Sequence, residues 1–234
     1  MNPTNERTIK LLGEEKFLRL QNSHVLIVGV GGVGGFVAEF LARAGIGRLT
    51  VVDGDVVEES NLNRQIVATF DTIGMPKVLA CKNRVESYSP TEVRPLFLRF
   101  NAETASAVMD CSYDMVVDAI DSIPDVITLI SECGQRNLPL ICAMGAGNRY
   151  ELPQFEIKNL FETKNDRFAR ALRKSMRNSG LTYDVPCVVS KNLAEKWDGK
   201  PGSIAYYPAA SATMIAAYVV KKITEKTEWE NSEK

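Results

Sequence analysis

Three charged residues in the first half of the chain suit work on phosphate groups. Arg64 and Lys77 are cations that each follow a polar turn, and Asp121 is a carboxylate that follows a short apolar run. Cations stabilise the charge that builds on phosphate oxygens during a displacement. Mg²⁺ prefers one or two carboxylates together with phosphate oxygens. Taken singly, Arg64 and Lys77 are more simply explained as solvated surface charges, so the elements around them decide between the two interpretations.

A glycine-rich segment supplies the first of these elements. The apolar, β-branched run 25–28 predicts a strand covered on both faces. An amphipathic segment, 36–44, stops at Gly45 and predicts a helix with a glycine cap. The turn between them has the pattern G-x-G-x-x-G, in which backbone N–H groups and a helix N-terminus hold an anionic phosphate. On its own the motif indicates only a nucleotide, and its expected phosphate-binding residues are Gly29, Gly31, Gly32 and Gly34.

A second predicted strand, 49–52, ends at Asp53, which lies 19 residues after Gly34. An acid about 20 residues after the glycine motif is typical of ribose binding. The alternative is a turn residue in the Asp-Gly pair. Asp55 and Asn61 follow in the same polar stretch, before a helix that we predict from Pro76 to about Ser87.

A third strand is predicted over 93–98. A fourth predicted strand, 115–117, ends in Asp118-Ala119-Ile120-Asp121. Carboxylates at strand ends of a doubly wound sheet project toward the ligand crevice. Asp121 could therefore hold Mg²⁺, and Asp118 could either bind the ligand or orient the loop. The simplest alternative is that Asp121 or Ser122 only caps the helix that Pro124 begins.

Alternating strands and helices predict an α/β fold. We expect a Rossmann-like, doubly wound, mostly parallel sheet with helices on both faces and a C-terminal elaboration. The chain divides into an N-terminal helical arm (1–22), a nucleotide-binding core (23–147) and a basic region (148–234) that completes the same domain.

Composition is that of an ordinary soluble protein, with 234 residues and a formal net charge of −1. The five cysteines form no C-x-x-C pair, so reduced, packed thiols are expected. No apolar run approaches the roughly 20 residues of a membrane span. We therefore expect a cytoplasmic protein with no membrane partner.

The region after Gly147 is basic, with eight Lys or Arg against four acids over residues 148–178. A helix would show five of them as one stripe, which is either a solvated face or a site for a polyanion. Residues 181–202 look like a polar loop containing Trp197, a core residue or a base-stacking candidate, and a strand near 204–207 precedes a helix over 209–223. The five stripe residues are Arg167, Arg170, Arg173, Lys174 and Arg177.

Five motifs in register resemble the ubiquitin-activating-like adenylating family (the ThiF/MoeB/HesA type): the glycine turn, Asp53-Gly54-Asp55, 60–65, Lys77 and 118–121. The resemblance covers Arg7 to about Gly147. It implies that the glycines hold the α-phosphate region of ATP, that Asp53 binds the ribose, and that Asn61, Arg64 and Lys77 bind the phosphates. It also implies that Asp121 coordinates Mg²⁺ and supports adenylation. Arg7 would reach the ATP of a partner subunit, so a homodimer would form the active site.

Within that family, the runs 63–66, 144–147 and 184–190 resemble the tRNA threonylcarbamoyladenosine dehydratases. The resemblance implies an ATP-dependent dehydration (cyclisation) of threonylcarbamoyladenosine in tRNA through an acyl-adenylate, giving AMP and pyrophosphate. The basic stripe would then contact tRNA, and a sulfur-transfer protein is a further partner that some relatives have. The chain is shorter than some members around 191–203.

Three alternatives remain open from the sequence. The first is an adenylyltransferase that activates the C-terminal glycine of a sulfur-carrier protein, although the two C-x-x-C zinc pairs usual there are missing. The second is an NAD(P)-dependent oxidoreductase, in which Arg64 and Lys77 would have no catalytic role. The third is a non-catalytic relative. Cys187 could take part in catalysis, but a packed thiol is the simpler interpretation.

Overall fold

A computed structural model describes residues 5–196, 199 and 201–225. Trp197 and the last residues of the predicted basic region lie outside them. The described helices and strands follow in chain order: α1 (Glu6–Leu12), α2 (Glu14–Gln21), β1 (His24–Val28), α3 (Gly34–Ala44), β2 (Arg48–Val52), α4 (Lys77–Glu86), β3 (Glu92–Leu96), α5 (Ala105–Val108), β4 (Met115–Asp118), α6 (Ile123–Gln135), β5 (Leu140–Ala143), β6 (Phe155–Asn159), α7 (Arg167–Asn178), β7 (Pro186–Ser190) and α8 (Tyr206–Thr224).

One seven-stranded sheet organises the chain, in the order β3-β2-β1-β4-β5-β7-β6. Neighbouring strands are parallel except for β6, which pairs antiparallel with β7. The strand order reverses between β1 and β4, and in such sheets ligands bind outside the carboxyl ends of the strands at this switch point. The predicted Rossmann-like α/β fold is therefore confirmed, and the glycine turn lies where the ligand crevice is expected.

Two apolar clusters cover the two faces of the sheet. Helices α3, α4 and α8 pack on one face, and α5, α6 and α7 pack on the other. Strand β1 is buried on both faces, as its unbroken apolar run predicts. Gly45 ends α3 in the left-handed conformation at φ 100°, which confirms the predicted glycine cap.

The N-terminal arm differs from the prediction of one amphipathic helix. Gly13, at φ 83°, separates α1 from α2. Among the described apolar residues of the arm, only Phe17 and Leu20 are buried, whereas Leu11 is 83% exposed and Leu18 is 53% exposed. Helical periodicity cannot reveal such a break, because the turn depends on the freedom of glycine to adopt positive φ.

The C-terminal region contains two strands that the sequence analysis did not predict. Residues 186–190 of the predicted polar loop form β7 beside β5, and β6 closes the edge of the sheet. The strand predicted near 204–207 is wrong, because α8 begins at Tyr206. All five cysteines are free. No helix in the described part of the chain is long and apolar enough to cross a membrane.

Candidate nucleotide site and basic face

The four glycines of the turn have two different environments. A Cβ atom on Gly29 would lie 2.5 Å from the Ala119 carbonyl oxygen, and one on Gly34 would lie 1.8 Å from the Gly29 carbonyl oxygen. Near Gly31 and Gly32 the closest atoms to such a Cβ are 3.9 and 3.5 Å away. Gly29 and Gly34 therefore let the turn pack on the loop after β4. Gly31 and Gly32 leave its outer side open for a phosphate group.

Asp53 lies directly beside this turn. Its Oδ2 accepts a hydrogen bond from the Val30 N–H at 2.7 Å, and its Oδ1 accepts one from the Asp55 N–H at 2.9 Å. The carboxylate thus joins the end of β2 to the glycine turn. That position is the one expected of a ribose-binding acid in this fold, which stays a prediction for Asp53.

Lys77 is the first residue of α4 and is only 7% exposed. Its Nζ lies 2.7 Å from Asp55 Oδ2, and its N–H donates to the Asp55 carbonyl oxygen at 3.0 Å. The Asp55 side chain is exposed. The Lys77 ammonium group is therefore held at the end of a buried side chain, next to Asp55.

Arg64 approaches the glycine turn from the middle of the same connection between β2 and α4. Its Nη1 donates to the Ser60 carbonyl oxygen at 2.7 Å and to Asn63 Oδ1 at 2.9 Å. Its Cγ lies 3.9 Å from where a Cβ on Gly32 would be. Asn61 is buried, and its Oδ1 accepts from the Glu58 N–H at 3.1 Å in a capping box. Asn61 thus fixes the short helical turn that carries Arg64 to the glycine turn.

Gln65 is a neighbour of the site that the sequence analysis left without a role. It is 7% exposed, and its Nε2 is the atom nearest to a Cβ built on Gly31. Its buried Oε1 has no hydrogen-bond partner among the described residues. The Gln65 side chain therefore packs beside Gly31, at the open part of the glycine turn.

Asp118 does not reach the crevice, because its side chain is completely buried. Its Oδ1 accepts from the Ile120 N–H at 3.0 Å, and its Oδ2 has no partner among the described residues. Burial raises the pKa of this carboxyl from 3.8 to about 7. A buried side chain cannot contact a bound nucleotide, so the expected cofactor contact of Asp118 is corrected here. The alternative role, orienting the loop toward Asp121, agrees with its hydrogen bond.

Asp121 is exposed and makes no hydrogen bond or ion pair with the part of the chain that is described. Nearby, Arg99 binds Asp125 Oδ2 through Nη2 at 2.9 Å and Nε at 3.1 Å, and Ser122 Oγ at 3.4 Å. The pKa of Arg99 is raised mainly by the Asp125 hydrogen bond and further by Asp121 and Asp55. Arg99 thus clamps the loop that carries Asp121. No sequence motif marks Arg99, and only its place just after β3 could have suggested it.

Arg7 and Cys187 stand apart from this group. Arg7 is exposed on α1 and makes no hydrogen bond or ion pair within the described residues. Cys187 is buried in β7, and its Sγ donates to the Val185 carbonyl oxygen at 3.4 Å. The packed-thiol interpretation of Cys187 agrees with this burial.

The basic stripe lies on α7, whose Ala169, Leu172 and Met176 are buried. Asp166 caps the helix by accepting from the Ala169 N–H at 2.8 Å. Arg173 departs from the prediction, because it donates to the Leu160 carbonyl oxygen at 3.3 Å and to Thr163 Oγ1. The residues that remain exposed and form no ion pair within the described residues are called the basic row: Arg167, Arg170, Lys174 and Arg177.

Arg149, another basic residue of this region, is buried instead of facing solvent. Its Nη2 lies 3.3 Å from Asp166 Oδ2, and both side chains are almost fully buried. It also donates to the Gly145 carbonyl oxygen at 2.8 Å and to the Asn192 carbonyl oxygen at 3.0 Å. One guanidinium group therefore joins the loop after β5, the start of α7 and the segment after β7.

Comparison with known proteins gives a consistent result. A Bacillus subtilis protein named tRNA threonylcarbamoyladenosine dehydratase is 34% identical over 93% of this chain and 93% of its own length. The Escherichia coli protein of that name is 34% identical over 78% of this chain and 71% of its own. The E. coli enzyme's structure with AMP superposes with a TM-score of 0.89 at 30% identity, covering 93% of both chains. Its structure with ATP has a TM-score of 0.89 at 29% identity, covering 98% of this chain and 96% of that one. The ThiF family model matches residues 4–234. This chain belongs to the ThiF family.

Proposed function

We propose that this protein catalyses the ATP-dependent dehydration (cyclisation) of threonylcarbamoyladenosine in tRNA. The observation that carries the proposal is the open side of the glycine turn, which Arg64 approaches beside Gly32. Lys77 follows β2 in the chain and Asp121 follows β4. These strands lie on either side of β1, and their carboxyl ends face the same crevice. The names of the B. subtilis and E. coli relatives supply the substrate.

The reaction would have two displacements. The threonyl carboxylate of the modified base attacks the α-phosphorus of ATP, which releases pyrophosphate and forms an acyl-adenylate. The carbamoyl group of the same side chain then attacks the activated carbonyl carbon and AMP leaves with the carboxylate oxygen, so the base loses one water. The first nucleophile arrives ionised and the second attack is intramolecular, so catalysis consists mainly of orientation and charge stabilisation.

The site residues have matching proposed roles. Backbone N–H groups at Gly31 and Gly32 would hold the α-phosphate, and Arg64 and Lys77 would neutralise the phosphate charge. Asp53 would bind the ribose, and Asn61 would keep Arg64 in place. Asp121 has no ion pair within the described residues, and a lone exposed carboxylate suits Mg²⁺ bound to phosphates. That ion would supply positive charge at the oxygens of the leaving pyrophosphate.

Three finer assignments stay predictions. Arg7 would complete the site of a second copy in a homodimer, in keeping with its exposure on α1. A sulfur-transfer protein partner and a cytoplasmic location also stay predictions. The sulfur-carrier and NAD(P) alternatives are less favoured, because the first lacks its zinc cysteines here and the second leaves Arg64 and Lys77 without a purpose.

The decisive experiment is mass spectrometry of nucleosides from tRNA that carries threonylcarbamoyladenosine, after incubation with the protein and ATP. We expect the modified nucleoside to lose one water and AMP to accumulate in equal amount. Asp121→Asn should lower the rate by about a hundredfold or more, because a group that stabilises the transition state is lost. Asp71→Asn, at another exposed aspartate, is the matched control.

An unchanged nucleoside mass with the wild-type protein would overturn the proposed function. Turnover by Asp121→Asn at the wild-type rate would remove only Asp121 from the site.

A further inference from the structure

A patch of large apolar side chains is exposed on three neighbouring segments of the C-terminal region. Hydrogen bonds join the segments: Asn148 accepts from the Glu195 N–H at 2.7 Å and, through Oδ1, from the Gly202 N–H at 2.7 Å. The Tyr206 hydroxyl donates to the Tyr150 carbonyl oxygen. We call this surface the apolar patch, and its members are between 41% and 80% exposed: Tyr150, Leu152, Leu193, Ile204 and Tyr206.

The patch borders the nucleotide crevice. Asn63 Nδ2 donates to the Ser203 carbonyl oxygen at 3.0 Å, and Asn63 Oδ1 accepts from Arg64. Pro208, two residues after Tyr206, lies 3.5 Å from where a Cβ on Gly32 would be. A molecule that places its reacting group at the open glycine turn would therefore extend over the apolar patch.

The basic row begins near the same patch. Arg149 is the chain neighbour of Tyr150, and its ion pair holds Asp166, the residue before Arg167. The four cations of the basic row make no ion pair within the described residues, which favours an anionic occupant over an apolar one. The surface thus combines aromatic rings with a row of cations that suits the phosphates of a nucleic-acid backbone, next to the crevice.

We infer that the apolar patch is a stacking platform for unpaired nucleobases of the RNA strand that carries the reacting base. This inference rests on the proposed function and names the surface that would bind its substrate. Every nucleobase has a π face, so a tyrosine ring accepts it irrespective of sequence, while cations alongside hold the phosphates. Tyr150 carries most of the argument, since the residue is 66% exposed and its hydroxyl forms no hydrogen bond with the described residues.

The test measures the affinity of the full-length protein for an unmodified tRNA transcript at several salt concentrations. Tyr150→Ala should weaken binding by roughly five- to a hundredfold, the range for loss of one base–aromatic stack. Tyr150→Phe keeps the ring and should bind like the wild type. Leu152→Ala removes an apolar side chain that is more exposed than Tyr150 but has no π face, and it should change affinity by less than about threefold.

Salt dependence separates stacking from charge. Tyr150→Ala should leave the slope of log affinity against log salt unchanged. The double change Arg170→Glu and Lys174→Glu should flatten it by about two phosphate contacts. Arg173→Gln is the matched control for the pair, because Arg173 is already occupied by Leu160 and Thr163.

Three results would overturn the inference. These are wild-type affinity in Tyr150→Ala, an equal loss in Leu152→Ala, or a change of oligomeric state in Tyr150→Ala, which would make the patch an interface between copies. An assay of nucleoside conversion distinguishes failure of the stacking platform from failure of the proposed function. If the wild type converts the nucleoside and Tyr150→Ala has the wild-type KM for tRNA, only the stacking platform is overturned. If tRNA affinity depends on the Tyr150 ring but the wild type does not convert the nucleoside, only the proposed reaction is overturned.

Discussion

The nucleotide crevice and the basic region position their charged side chains by different means. In the crevice, Asp53 at the end of β2 binds the Val30 N–H after β1. Lys77 at the start of α4 binds Asp55 in the loop after β2. In the basic region, Arg149 joins three segments that lie far apart in sequence. The crevice depends on backbone geometry, whereas the basic region depends on one buried ion pair.

This contrast has consequences for the tolerance of each region to change. A backbone turn fails when a side chain is added where two main chains touch, because neither can move without disturbing the sheet. A buried ion pair fails when one partner is removed, because the remaining charge is left without compensation. Substitutions that add atoms should therefore damage the crevice, and substitutions that remove charge should damage the basic region.

The largest effect is expected from Gly34→Ala. A Cβ atom there would lie 1.8 Å from the Gly29 carbonyl oxygen, and the contact is between two backbone segments that β1 and α3 fix. We expect the variant to be insoluble or to lose more than about 3 kcal/mol of unfolding free energy, as overpacking against a rigid neighbour does. Urea denaturation of the soluble fraction measures this.

Gly31→Ala is the control for that substitution. It meets only the end of the Gln65 side chain, at 3.9 Å, so its unfolding free energy should stay within about 1 kcal/mol of the wild type. Its ATP affinity should fall, because a methyl group occupies the open side of the turn. Equal stability of the two alanine variants would show that the two kinds of glycine environment do not differ.

The next largest effect is expected from Arg149→Met. The substitution leaves the Asp166 carboxylate buried, with only the Ala169 N–H as a partner. We expect a loss of about 3–5 kcal/mol in unfolding free energy, the usual result of breaking a buried pair from one side. Arg94→Met, which breaks the half-exposed pair with Asp110, should cost about 1 kcal/mol or less. A similar loss in both would mean that burial of the Arg149 pair is unimportant.

The same contrast explains what the sequence predicted. Strand β1, the glycine turn and Gly45 are local patterns, and their positions follow from periodicity and φ preference. Strand β7 was read as part of a loop, because its short apolar run gains meaning only from pairing with β5. Arg99 and Arg149 carry no motif, since their carboxylate partners, Asp125 and Asp166, lie 26 and 17 residues away. Burial separated Asp118 from Asp121, and one acidic run cannot show which of its carboxylates faces solvent.

Asp118 gives the most specific effect, because it appears only as a change with pH. Its pKa is about 7 in the folded protein, against 3.8 for a free side chain, so the folded state keeps this proton over a range where the unfolded chain has lost it. The unfolding free energy therefore falls as pH rises between about 4 and about 7. Asp118→Asn removes the titration and still offers an oxygen to the Ile120 N–H. Its unfolding free energy should rise relative to the wild type by up to about 4 kcal/mol across that range.

Urea denaturation at about pH 4 and about pH 8 measures this difference. Asp121→Asn is the matched control, because its carboxyl is exposed and its curve should run parallel to the wild type. If the Asp118→Asn curve is also parallel, the buried carboxyl is ionised in the fold despite its missing partner. A rising difference would instead establish that the fold keeps the buried Asp118 carboxyl neutral.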